Sequence, residues 1–105
     1  MKTTYAVCTT VGRVRKENQD NFYLNGITKP IHVQEIALEG VSEEFYQLFA
    51  VCDGMGGEVD GEVAAYMAVE FLKKYPVDSF CEEWENYLLD VNDAIYDYQV
   101  TNGCS

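Results

Sequence analysis

The part of this chain best equipped for chemistry is an acid at the end of an apolar run that opens at once into glycines: Phe49-Ala50-Val51-Cys52-Asp53-Gly54-Met55-Gly56-Gly57. A strand that ends in Asp53 fixes its carboxylate, and glycines without Cβ let backbone carbonyls and amides approach an ion or a phosphate closely. Taken alone, the stretch reads equally well as an ordinary strand-to-helix turn, because glycine-rich turns are common and most bind nothing. A second stretch stands upstream. In Gly12-Arg13-Val14-Arg15-Lys16-Glu17-Asn18-Gln19-Asp20-Asn21-Phe22, three cations precede an acid that leads into the apolar run Phe22-Tyr23-Leu24. A hard divalent cation takes oxygen ligands such as Asp20 and Asp53, and a phosphoryl group suits a planar, permanently charged guanidinium, which Arg13 and Arg15 both carry.

The elements that must position these residues are strands first and helices second. Residues 4–10, 20–24, 32–38 and 46–52 read as strands, the third the weakest, with Asn25-Gly26 and Gly40 marking turns. From about residue 59 to 75 the spacing becomes helical, with Val63, Met67, Phe71 and Lys74 tracing rows and Pro76 stopping the helix. A second helix carries Phe80, Trp84, Tyr87, Leu88, Val91, Ile95 and Tyr98 at three- and four-residue steps, one wide apolar face for core packing. Ser79 and Glu82 have the spacing of a capping box at its start, a device worth about 1 kcal/mol.

Strand order decides whether the two acids can share a site. If residues 20–24 and 46–52 pair as antiparallel neighbours, Asp20 and Asp53 meet at one sheet edge. If residues 31–38 form the middle strand of a meander, the outer strands run parallel and the acids lie at opposite edges. A metal site therefore requires residues 26–44 to be an excursion or an edge hairpin.

Composition excludes several classes. The chain has 105 residues, 48% hydrophobic with eight tyrosines, a formal net charge of -11 and a pI near 4.2. That suits one modest globular domain whose field repels nucleic acid and anionic membranes. Cys8, Cys52, Cys81 and Cys104 lack zinc-site spacing and read as free, mostly buried thiols. The first residues lack the apolar run of a signal peptide, no segment approaches transmembrane length, and the expected location is cytoplasmic. His32, the sole histidine, reads as a partly exposed structural residue in the segment least suited to face a metal.

Together the two polar stretches resemble the N-terminal signature of the metal-dependent protein phosphatase 2C family, over roughly residues 3 to 75. The resemblance implies an α+β fold: part of an α-β-β-α sandwich, with antiparallel strands followed by two antiparallel helices. It implies a phosphatase acting on phosphoserine or phosphothreonine in proteins, with manganese or magnesium as cofactor. On that match Asp53 bridges two ions and the Gly54 carbonyl ligates one of them. Arg15 grips the substrate phosphate, and Asp20 lies beside metal-bound water. The family's water attacks phosphorus in line without a phosphoenzyme.

Two positions depart from the pattern. Gln19 stands where many members have a metal-linked glutamate, and Met55 where animal members have a histidine, so the resemblance is to the bacterial branch. The family's domain is more than twice this length and draws further aspartates from its second half. The expectation is thus a single incomplete domain over residues 1–105, with weak or single metal binding and little turnover. Its uncovered apolar surface would be met by the missing half or by a second copy. The alternative is a pseudophosphatase, a regulatory or phosphoprotein-binding module without turnover.

Overall fold

In the computed structural model, which describes residues 2–13, 16–54 and 60–102, the chain runs β1 (Thr3–Thr9), β2 (Asn21–Leu24), β3 (Ile27–Thr28), β4 (Ile36–Ser42), β5 (Phe49–Cys52), α1 (Gly61–Leu72), one 3₁₀ turn (Val77–Ser79) and α2 (Phe80–Thr101). The class is α+β, with antiparallel sheets and two helices. No helix among the described residues is long and apolar enough to cross a membrane.

The strands form two sheets, β1–β4 and β3–β2–β5. In the second, Asn25 and Gly26 both have positive φ, as a two-residue hairpin connection requires, and they join β2 to β3. β2 also pairs antiparallel with β5, from Leu24 opposite Phe49 to Asn21 opposite Cys52. Residues 26–44 are thus an excursion: the segment turns back as β3, then leaves to pair with β1 as β4. The meander is not formed.

Alternation across the three-stranded sheet sorts its two faces. Tyr23 packs with Val69, Leu72, Tyr87 and Val91 of the helices, and Ala50 and Cys52 lie against that cluster. On the other face Phe22 and Leu24 are buried, while their opposed partners Val51 and Phe49 are 78% and 41% exposed. The rings of Tyr5 on β1 and Phe49 lie 5.7 Å apart and link the two sheets. The helices form a hairpin, with Phe80 against Tyr75 at the bend and the Tyr87 hydroxyl donating to the Ala68 carbonyl at 2.7 Å.

Several local expectations need correcting. The weak third strand lies at Ile36–Ser42, not at 32–38, because residues 32–34 serve a polar network described below. Gly40 is no turn: it sits inside β4 opposite Tyr5, and a Cβ there would meet the Tyr5 ring at 2.6 Å, so glycine leaves room for the aromatic. Ser79 does precede α2, yet its side chain makes no capping bond. Its N–H donates instead to the Pro76 carbonyl at 3.3 Å in the 3₁₀ turn, which leaves no capping box to form. The buried row of α1 is Gly61, Ala65, Val69 and Leu72, since its small residues fit the sheet more closely than Val63 and Met67. On α2, Tyr87 and Val91 are buried, but Trp84 and Leu88 are about half exposed. Cys8, Cys52 and Cys81 are free thiols, of which Cys8 and Cys81 are exposed rather than buried; Cys104 lies outside the described residues.

Candidate metal and phosphate site

The register of β2 against β5 governs where the two acids fall. Asn21 opposes Cys52 in the last pair of the ladder, and Asp20 and Asp53 are the next residues outward at that end of the two strands. Residues opposed in an antiparallel ladder have Cα atoms about 4.5–5.5 Å apart, and these acids flank the last such pair. Asp53 is exposed and Asp20 half-buried. Arg15, together with Met55, Gly56 and Gly57 of the glycine loop, lies outside the described residues.

Gly54 is buried, and its surroundings explain its type. A Cβ at Gly54 would lie 2.5 Å from the Gln19 carbonyl oxygen and closer still to the backbone of Gly61. Reciprocally, a Cβ at Gly61 would overlap the Gly54 oxygen and come within 2.8 Å of Gln19 Oε1. The first residue of α1, the residue after Asp53 and the residue before Asp20 are therefore in backbone contact, which side chains would forbid.

The Asp20 side of the site is held by hydrogen bonds instead. Asn18, only 4% exposed, donates from Nδ2 to Thr9 Oγ1 at 2.6 Å and to the Gln34 carbonyl at 3.0 Å. Its own N–H donates to Gln34 Oε1 at 2.5 Å, and its Oδ1 accepts the Asp20 N–H at 2.9 Å. Gln34 Nε2 in turn donates to Glu62 Oε2 at 3.0 Å in the first turn of α1, where Glu62 Oε1 also meets His32 Nδ1 at 2.8 Å. The polar run of residues 29–34 thus reaches both Asn18 and the first turn of α1. His32 itself is exposed, with φ of 72°.

Lys29 is the feature that sequence reasoning missed. It is fully buried; its backbone exchanges hydrogen bonds with the Asn21 side chain in both directions at 2.9 Å, and its ammonium donates to the Val33 carbonyl. Lysine is rarely buried without a partner, so its type gave no warning. The Asn-Gly turn, which brings residue 29 back beside Asn21, was the available signal. On β5, burial pushes the Cys52 thiol up from its ordinary value and so disfavours the thiolate.

As a donor set, the Asp20 and Asp53 carboxylates and the Gly54 carbonyl are all oxygen, which fits a hard cation such as magnesium or manganese better than zinc. Among the described residues no group of three or more His, Cys, Asp or Glu is gathered that could hold a metal ion. No family model, curated protein or solved structure matches the chain.

Proposed function

We propose that the chain is the N-terminal part of a metal-dependent serine/threonine protein phosphatase similar to bacterial members of the protein phosphatase 2C family. The observation that carries this reading is the antiparallel β2–β5 pairing, which brings Asp20 and Asp53 to the same end of the strand pair, with a glycine after Asp53 that admits no side chain. The helices packed on one face of the β3–β2–β5 sheet are compatible with it as well.

On this reading Asp20, Asp53 and the Gly54 carbonyl hold manganese or magnesium. Bound there, the cation lowers the pKa of its water and neutralises charge on the phosphoryl oxygens. The chain's own part is positioning. Paired strands fix both carboxylates, Asn18 holds the Asp20 backbone, and Arg15 supplies the guanidinium that binds phosphate. The substrate class is phosphoserine or phosphothreonine in proteins. The same reading takes the domain as incomplete. β5 is an edge strand among those described, and its outer face leaves Phe49 and Val51 open to further chain or to a second copy.

Manganese titration of the chain, of Asp53→Ala and of Asp20→Ala tests the site. The expected result is weak binding that falls at least about tenfold in each variant, the loss of one charged ligand from a small set. A chain indifferent to manganese overturns the proposal. Slow manganese-dependent hydrolysis of a phosphothreonine peptide, abolished by Asp53→Ala, identifies an enzyme. Binding without hydrolysis leaves the regulatory, phosphoprotein-binding module.

A further inference from the structure

The geometry points to Gln34 as a positioning residue that couples the start of α1 to Asp20 through Asn18; its bearing on metal affinity rests on the site proposed above. Three observations carry it. First, Gln34 holds Asn18 at two points, its Oε1 taking the Asn18 N–H at 2.5 Å and its carbonyl the Asn18 side-chain amide at 3.0 Å. Asn18 is buried and passes that constraint on through the bond from its Oδ1 to the Asp20 N–H. Second, the remaining polar atom of Gln34 is committed to Glu62, whose side chain is only 12% exposed and belongs to the turn of α1 that begins at Gly61. Gly61 is the residue packed on Gly54, so this one amide links the Asp20 side of the site to the Asp53 side. Third, the strap that carries Gln34 is tied down on its own account. The buried Lys29 ammonium holds the Val33 carbonyl, and Asn21 on β2 holds both polar groups of the Lys29 backbone.

The amide is the group this geometry requires. One end must accept from a backbone N–H and the other must donate to a carboxylate, and among side chains of this length only glutamine does both. Gln34→Glu keeps the acceptor but sets a second carboxylate against Glu62, where two acceptors and two like charges face each other. Adding Glu62→Gln restores one donor between them and returns the total charge to its original value.

Amide hydrogen exchange and manganese titration of the full chain test the coupling, each on the single variant Gln34→Glu and on the double variant Gln34→Glu/Glu62→Gln. The expected result is that exchange at the Asp20 amide speeds up about tenfold in the single variant and manganese binding weakens by a similar factor, with both recovering in the double variant. Gln34→Met, which lacks both polar atoms and adds no charge, gives the same reading if the acidic variant does not fold. Unchanged exchange at Asp20 overturns the inference whatever manganese does. Faster exchange at Asp20 with an unchanged manganese affinity also overturns it. Faster exchange in a chain that binds no manganese at all leaves the coupling standing and removes the metal site.

Discussion

β2 and β5 lie side by side and deliver one acid each to the same sheet end, yet they are held in opposite ways. β2 is buried along its whole length, and the residues before it are fixed by directed polar bonds through Asn18 and Gln34. β5 is half-buried on its helix side and exposed on the other, and Gly54 after it is fixed by close backbone contact. Hydrogen bonds each contribute about 1 kcal/mol net and fail one at a time, whereas a close backbone contact either fits or does not. The β5 side should therefore break abruptly under substitution and the β2 side by degrees.

The largest effect expected is at Gly54. Its Cβ would meet backbone atoms of Gln19 and Gly61, neither of which can swing aside as a side chain would, so Gly54→Ala should cost about 3 kcal/mol or more in urea unfolding. Gly26→Ala is the matched control. No atom lies within 4 Å of a Cβ there, and only the φ of 100° is strained, a penalty of about 1–2 kcal/mol. Equal losses at the two glycines would mean that close contact does not hold the β5 side. Next comes Asn18→Ala, expected to cost about 2–3 kcal/mol, because it removes bonds to Thr9, Gln34 and Asp20 together inside a buried site. A loss under about 1 kcal/mol would place the hold on Asp20 elsewhere.

How much of this could be read from residue order follows from the same contrast. β2, β5 and both helices declare themselves through local apolar periodicity, and the Asn25-Gly26 hairpin through turn chemistry, so the placing of Asp20 and Asp53 at one end of the β2–β5 pair was open to geometric reasoning. The polar support was not. Gln34 and Glu62 are far apart in sequence and ordinary in type, and nothing local marks them as partners. β4 was misplaced for a related reason. Its alternation passes through Gly40 and Ser42, which carry no apolar signal, and its shape is set by Tyr5 across the sheet. The row Val63, Met67, Phe71 misled because α1 is apolar nearly all round, and only contact with the sheet selects Ala65 and Val69.

Tyr87 supports β5 from the helix side and gives a smaller, pH-dependent test. Desolvation, with the nearby Cys52 adding to it, pushes its hydroxyl from 10.0 up to about 12, and that hydroxyl donates to the Ala68 carbonyl. A raised folded value means that the unfolded chain gives up its proton first. The stability from the neutral hydroxyl is then whole below pH 10 and drains as pH rises toward about 12. Tyr87→Phe should cost about 0.5–1.5 kcal/mol at neutral pH and flatten the alkaline loss seen by circular dichroism. A residual slope belongs to the other groups the fold raises: Tyr75, which its hydrogen bond to Asp90 brings to about 12, Tyr66 beside Glu70, and the Cys52 thiol and Tyr23 hydroxyl through burial. An alkaline slope unchanged in Tyr87→Phe would show that β5 is not held through this residue.

The smallest effect is expected where α1 meets the β3 edge. Partial burial raises the Glu70 carboxyl, but bonds from Lys73 at 2.5 Å, from Tyr66 and from Thr28 at 3.2 Å outweigh it and bring the net value below 4.5. A lowered folded value runs the linkage the other way. The contribution is present above pH 4.5 and is lost as pH falls through the folded value. The Lys73 ammonium is 40% exposed and screened by solvent, so Lys73→Ala should cost no more than about 0.5 kcal/mol at neutral pH. Thr28→Val should cost about as little, since its hydroxyl makes one long bond at a short edge strand. Both differences should vanish under acid, where Glu70 is protonated in every form, while the cost of Asn18→Ala persists because the Asn18 side chain bonds only a hydroxyl and backbone groups. A penalty for Lys73→Ala that survives at pH 3 would mean that the lysine acts through its stem rather than through its charge.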